Sequence, residues 1–389
     1  MKGYIVGESG KGWSMRKRVK SDMIPVIDLR AQYHEIRDEI DKAVADVLES
    51  GRYILGAAVE RLEKEMKDYL SLKAAFGCAN GTDALILALM AYEIGNGDEV
   101  ILPAFTFVAP LEAAVLCGAV PRFIDVDPET FNIEPAAAIA AVSPRTRAII
   151  AVHLFGQCAE IDPILPTVRR SDIVIIEDAA QSFGAECRGR RAGSIGDVSC
   201  FSFYPTKNLA CMGDGGLVGT RDAGVVDRLR YLRVHGEVEK YQHSLVGMNS
   251  RLDEIQAAIL LAKLPFVEKW NARRGEIASI YNEAFGELGI RVPAARNGFS
   301  HVYHQYTLQV PRREDLAKHL KARNIMTAVH YPIPLPHQPA YREFDPGHGA
   351  FPVAERLARE VISLPVYPQL TDGQINRIVE GVRSFFESV

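Results

Sequence analysis

Lys207 closes the run Ser202-Phe203-Tyr204-Pro205-Thr206-Lys207 and stands just ahead of a glycine turn, Gly213-Asp214-Gly215-Gly216. Upstream, the apolar run Ile173-Val174-Ile175-Ile176 ends in Glu177-Asp178-Ala179-Ala180-Gln181. A lysine among aromatic and apolar neighbours is desolvated, which lowers its pKa and makes its amine a nucleophile. Such an amine can form a Schiff base with an aldehyde and, once freed, carry a proton between carbons. A carboxylate at the end of a buried strand can keep a pyridine nitrogen protonated by opposite charge. Taken singly, Lys207 reads as a surface lysine and Asp178 as a helix cap. Together, on successive strands, they are the pair that pyridoxal phosphate chemistry needs, with the ring as electron sink.

Other positions gather around that pair. Asn80-Gly81-Thr82-Asp83 opens an apolar helix just past a strand. Free N–H groups at a helix start, with the hydroxyl of Thr82 beside them, make a phosphate site, although the same residues also suit ordinary capping. Ser202, at a strand end, offers a further phosphate donor. Phe107, in Pro103-Ala104-Phe105-Thr106-Phe107, can stack on an aromatic ring or pack in the core. His330-Tyr331 precedes the proline-rich loop Tyr331-Pro332-Ile333-Pro334-Leu335-Pro336 and can line a pocket.

Two other patterns fail on inspection. Gly95-Asn96-Gly97 lacks the third glycine of a dinucleotide fingerprint, because position 100 is Val, and it precedes a strand instead of following one. His301-x-x-His304 has ligand spacing but introduces a strand without a suitably placed acid. No H-E-x-x-H or G-x-S-x-G motif is present, and no metal is expected.

The elements that must position these residues alternate along the chain. Helical spacing covers Tyr33 to Leu48 and Ala58 to Leu70, with Gly51-Arg52-Tyr53-Ile54-Leu55-Gly56 between them. After Asn80 come a helix from Ala84 to Tyr92, a strand from Glu99 to Leu102, a helix from Ala109 to Cys117 and a strand from Pro121 to Asp125. Further strands are predicted over Ala148–His153, Ile173–Glu177 and Val198–Phe203. This alternation argues for an α/β fold with a mostly parallel sheet and helices on both faces, where ligands collect beyond the carboxyl ends of strands. Asn80, Phe107, His153, Asp178 and Ser202 all fall at or just past such ends. Past Pro265 the helices become more charged. A strand from Tyr303 to Val310, a helix from Arg313 to Ala322, the proline loop and a final helix complete a smaller unit.

Length and composition bound the rest. A chain of 389 residues exceeds what one core usually holds, so two domains are expected. The reading places a tail at 1–22, a large domain at 23–265 and a small C-terminal domain at 266–389. The tail carries Arg16-Lys17-Arg18 but no apolar stretch, so it is no secretory signal, and Met15 or Met23 could be the true start. A net charge of −4 suggests no nucleic-acid partner. No run approaches the ~18 apolar residues of a membrane span. Six scattered cysteines without a C-x-x-C pair fit reduced thiols in a cytoplasmic protein.

At this level the chain resembles the DegT/DnrJ/EryC1/StrS aminotransferases, nucleotide-sugar enzymes of fold-type I, the aspartate-aminotransferase-like pyridoxal phosphate transferases. The carriers, from about Ile24 to the C-terminus, are Asn80-Gly81-Thr82-Asp83-Ala84-Leu85, Pro103 to Phe107, Glu177 to Gln181, Ser202 to Asn208 and Gly247-Met248-Asn249-Ser250-Arg251-Leu252-Asp253-Glu254. The resemblance implies that Lys207 binds the cofactor covalently and Asp178 pairs with its pyridine nitrogen. Gln181 would approach the phenolic oxygen or ring face, and Phe107 would stack on the ring. Gly81, Thr82 and Ser202 would hold the phosphate. Asn249 would reach the phosphate of a neighbouring subunit, which implies a homodimer with shared active sites.

The implied reaction is transamination of a keto nucleotide sugar on dTDP or UDP, with L-glutamate as amino donor. Members with His in place of the lysine are dehydratases, and Lys207 argues against that activity. Gln181 resembles the 3-keto branch, where 4-keto enzymes often carry His. Cyclitol aminotransferases acting on scyllo-inosose share the Gln, so that alternative and a non-catalytic regulatory binder stay open. Tyr204, His330 and Tyr331 are the expected sugar contacts. Ala210-Cys211-Met212 departs from the usual pattern of a small residue and an aromatic.

Overall fold

The computed structural model describes residues 22–387. The tail expected over residues 1–22 lies outside them except for Asp22, whose carboxylate pairs with Arg377 of the last helix at 2.7 Å.

Seven strands form the central sheet. They are β1 Ala74–Cys78, β2 Glu99–Pro103, β3 Val120–Ile124, β4 Thr146–Val152, β5 Val174–Asp178, β6 Val198–Ser202 and β7 Gly216–Thr220. Their spatial order is β1-β7-β6-β5-β4-β2-β3. Neighbours are parallel except at β7, which runs antiparallel to both β1 and β6. The inner strands are near-continuous apolar runs because helices cover both faces. Successive residues point to opposite faces, so Ile101, Ile149 and Ile175 join one core while Val100, Ile150 and Ile176 join the other. The first core packs under helices Arg37–Ser50, Ala57–Tyr69 and Glu254–Lys263. The second packs under Gly81–Ala91 and Ala109–Leu116.

A third core lies around the antiparallel pair β8 Tyr306–Gln309 and β9 Val361–Leu364, with helices Arg313–Ala322 and Asp372–Glu387. Helix Val267–Gly286 joins the cores: Val267 and Trp270 pack in the first, Ile277, Tyr281 and Phe285 in the third. Ile24 also packs in the third core and bridges to Ile325, although its sequence position suggests the large unit. Leu335, Leu357 and Val361 pack against the large sheet's second face.

Five elements differ from the sequence expectation. The stretch Gly215-Gly216 reads as a turn but leads into β7, whose glycines admit close neighbours. A Cβ at Gly216 would meet the carbonyl oxygen of Asn80 at 2.3 Å, and one at Gly219 would meet Leu72 at 2.5 Å. The first helix breaks at Ile36 into Leu29–Glu35 and Arg37–Ser50. Helix Pro352–Glu360 and β9, hidden after the proline loop, are additional; Pro352 sits at the helix start, where its missing N–H costs nothing. The C-terminal strand β8 is shorter than the Tyr303–Val310 run, since Tyr303 has a φ of 43°.

Candidate active site

The carboxyl ends of β5 and β6 deliver the central pair. Asp178 ends β5 and is buried; its carboxylate accepts the Ala180 N–H at 3.1 Å. Burial raises its pKa, while that N–H and the charge of Lys207 pull the other way. Lys207 follows β6 on a tight loop in which its own N–H returns to the Tyr204 carbonyl at 2.9 Å. Burial lowers the lysine pKa to about 8, partly offset by Asp178. The two charges influence each other yet form no ion pair among the described residues.

Asn208 fixes the lysine loop from behind. It donates to Asn271 at 2.7 Å and to the Val302 carbonyl at 3.1 Å, and its oxygen meets His304 Nδ1 at 3.1 Å. Burial holds His304 well below the ordinary imidazole range. His330, hydrogen-bonded to Ser363 at 3.0 Å, is pushed down to about 4 by burial and by Lys207. Both imidazoles are therefore neutral near pH 7 and add no charge that would compete with the lysine.

A helix start and a strand end meet by close approach. Helix Gly81–Ala91 is capped by Asn80, whose side chain accepts the Asp83 N–H at 2.8 Å. This leaves the Gly81 and Thr82 N–H groups without a partner among the described residues. A Cβ on Gly81 would stand 2.7 Å from Cβ of Ser202, so glycine alone lets the helix start seat against the end of β6. Two free amide donors with the Ser202 hydroxyl beside them fit a phosphate group. That donor set, with Asp178 at the end of one strand and Lys207 on the loop after its neighbour, fits pyridoxal phosphate.

A polar and aromatic wall faces this. Gln181 accepts the Phe155 N–H at 2.8 Å and donates to the Tyr331 hydroxyl at 3.0 Å. Phe107, half exposed, has its ring centroid 5.8 Å from that of Tyr331. Tyr204 is exposed beside the lysine loop.

The profile of the DegT/DnrJ/EryC1/StrS aminotransferase family matches residues 34–383. This chain belongs to that family. Among its relatives is a pleiotropic regulatory protein from Geobacillus stearothermophilus, 43% identical over 93% of this chain and 98% of the relative. Another is the UDP-2-acetamido-2-deoxy-3-oxo-D-glucuronate aminotransferase of Pseudomonas aeruginosa, 44% identical over 92% of this chain and 98% of the relative. The crystal structure of DesV from S. venezuelae, in complex with a ketimine intermediate, superposes with a TM-score of 0.92 at 43% identity. It covers 94% of this chain and 99% of its own.

In this DegT/DnrJ/EryC1/StrS aminotransferase-family chain, the sequence-predicted residues fall into two groups. The charge of Lys207 acts on both Asp178 and His330, Gln181 and Phe107 both contact Tyr331, and Gly81 seats against Ser202. Asn249 makes no hydrogen bond to any of these among the described residues. It is exposed on a segment held by Ser250, whose hydroxyl accepts the Ala79 N–H at 3.1 Å.

Sequence reasoning missed the role of Glu177. Fully buried, it accepts from His153 at 2.8 Å and from the N–H groups of Gly193, Ile195 and Gly196 at 2.8, 2.7 and 2.6 Å. Burial alone would raise its pKa, but these donors hold it below the usual carboxylate range. The signal was present as Glu177-Asp178, two acids ending one buried strand, one for each face.

Proposed function

We propose that this protein is a pyridoxal phosphate-dependent aminotransferase acting on a keto nucleotide sugar, with L-glutamate as amino donor. The observation that carries the reading is Lys207, its pKa lowered to about 8, set opposite buried Asp178 with no ion pair between them. Bound there, pyridoxal phosphate would supply the electron sink and the amine carrier. Lys207 would hold the cofactor and move a proton at Nζ in each half of a ping-pong cycle. Asp178 would keep the pyridine nitrogen protonated. Gly81, Thr82 and Ser202 would donate to the phosphate, and Phe107 would cover the ring.

Amination at C3 of the sugar is the favoured regiochemistry. Gln181 supports it, as does the 3-oxo substrate named for the Pseudomonas relative. Tyr204, His330 and Tyr331 are assigned to the sugar. The name of the Geobacillus relative makes a regulatory binder the second reading. An intact Lys207–Asp178 pair favours catalysis over that reading.

A homodimer with shared active sites is part of the proposal. Tyr53, Ile54, Tyr204, Met212, Tyr241 and Val246 are large apolar side chains left exposed, and Asn249, a few positions after Tyr241 and Val246, is exposed too. Exposed apolar side chains of this size are candidates for an interface. We place the protein in the cytoplasm, as a large unit before Phe266 and a smaller one after it. All six cysteines are unpaired, and among the described residues no helix is long and apolar enough to cross a membrane.

The test has two stages. L-Glutamate added to the cofactor-loaded protein should shift its visible absorbance, and no shift would favour the regulatory reading. Mass spectrometry after incubation with 3-keto and 4-keto nucleotide sugars and scyllo-inosose should then show 3-amino nucleotide sugar. Product from only the 4-keto sugars or the cyclitol would overturn the C3 assignment.

A further inference from the structure

His337 closes the helical turn Leu335–His337 that follows the proline loop. Its Nδ1 lies 3.1 Å from both carboxylate oxygens of Asp345, and its Nε2 lies 3.4 Å from Oε1 of Glu355. The His348 ring has its centroid 4.4 Å from that of His337. One donor atom each from His337, His348 and Glu355 falls within 4.8 Å of the others.

Backbone donors anchor both carboxylates. The Gly347 N–H donates to Asp345 at 2.8 Å and the Gly349 N–H donates to Glu355 at 2.6 Å. Each carboxylate is thereby held against a ring nitrogen of His337.

The spacing of these donor atoms fits a bound metal ion. In a tetrahedral site with bonds of about 2.0–2.1 Å, neighbouring ligands stand roughly 3.4 Å apart, the separation of Nε2 and Oε1. A ligating histidine whose other nitrogen donates to a carboxylate is the usual support for a bound metal, and Asp345 occupies that place. Two imidazoles with one carboxylate suit Zn2+ better than a hard cation such as Mg2+.

We propose that His337, His348 and Glu355, with Asp345 orienting His337, form a Zn2+ site that clips the Asp345–Gly349 turn onto helix Pro352–Glu360. The clip would tie two parts of the chain already fastened to the large sheet. The Leu335 N–H donates to the Ala104 carbonyl at 2.8 Å, beyond β2. Asp125, beyond β3, caps the helix through the N–H groups of Val353 and Ala354 at 2.9 and 2.8 Å. The sequence conceals the cluster because its spacing follows no ligand motif; the glycine turn at 347–349 brings His348 back toward His337.

The experiment uses untagged, chelator-stripped protein titrated with Zn2+ against a chromophoric competitor. Wild type should take up one ion per chain, and Zn2+ should raise its Tm by a few degrees, of the order expected when a ligand binds only the native state. His348→Ala changes an exposed side chain and should fold normally, yet bind about tenfold or more weakly and lose the Tm shift. Co2+ in the wild-type site should give visible d–d bands without a strong sulfur charge-transfer band. No stoichiometric uptake would leave His337 as a plain bridge between two carboxylates and overturn the proposal. Equal affinity in His348→Ala, or a sulfur band with Co2+, would assign the ion to the cysteines and overturn it as well.

Discussion

The Gln181 side chain donates to the Tyr331 hydroxyl across 150 positions of chain, at 3.0 Å, while its oxygen accepts the Phe155 N–H at 2.8 Å. The backbone donor dictates which end of the amide faces which way, so Tyr331 must accept and keeps its own O–H free to donate. Gln181→Leu strands a buried N–H and should cost about 1–3 kcal/mol in urea unfolding of the apo-protein. Tyr331→Phe removes one neutral bond and should cost about 1 kcal/mol. Equal losses from both variants would refute the idea that the Phe155 contact is the structural half of this arrangement.

Lys207 gives the apo-protein a pH signature. Its folded pKa of about 8 lies below the ordinary 10.5, so the unfolded chain binds the proton more tightly. Stability should therefore rise with pH between about 8 and 10.5, by up to roughly 3 kcal/mol from this group. Lys207→Met should be more stable than wild type near pH 7 and should lack that rise. Thermal melts of both apo-proteins across this range decide it; parallel curves would mean that the lysine is solvated.

Gly81→Ala places a methyl group where only 2.7 Å separates it from Cβ of Ser202. Overpacking of this kind costs about 1–3 kcal/mol, and here the strain falls on the helix start. Cofactor affinity, read by absorbance titration, should fall about tenfold or more. Adding Ser202→Gly removes the opposing Cβ and should restore part of the loss even though it deletes a hydroxyl. A double variant weaker than the single one would show that the hydroxyl matters more than the spacing.

Glu177 predicts the opposite pH limb. Its folded pKa lies below 4.5, so its contribution is complete above that value and drains away as pH falls through the folded pKa. Glu177→Gln would set an amide NH2 against donors that need an acceptor. It should destabilise the protein by about 2–3 kcal/mol near neutrality and flatten the acid limb below about pH 4.5. Circular dichroism during acid titration of both proteins provides the comparison, and an unchanged acid limb would remove Glu177 from the account.

The sequence made some of this legible for physical reasons. Strands β4, β5 and β6 are buried on both faces, so they appear as plain apolar runs, and the acids and hydroxyls at their ends stand out by contrast. Lys207 was conspicuous because aromatic neighbours are poor company for a solvated amine. The strand β7 was obscured by the glycines that let it pass Asn80 and Leu72. Helix Pro352–Glu360 and β9 were obscured by a proline loop that looks like the end of ordered chain. Contacts such as Gln181 with Tyr331, or Asn208 with Asn271, join residues far apart in sequence and carry no local pattern.

The three contacts of Asn208 give the lysine loop an unusual attachment. Its side chain is fastened to helix Val267–Gly286 and to the strand-leading segment at Val302–His304, while its backbone continues from β6. The reactive amine thus rides on a bearing between the sheet and the C-terminal part of the chain. Any rocking of one against the other would carry the Lys207 backbone with it.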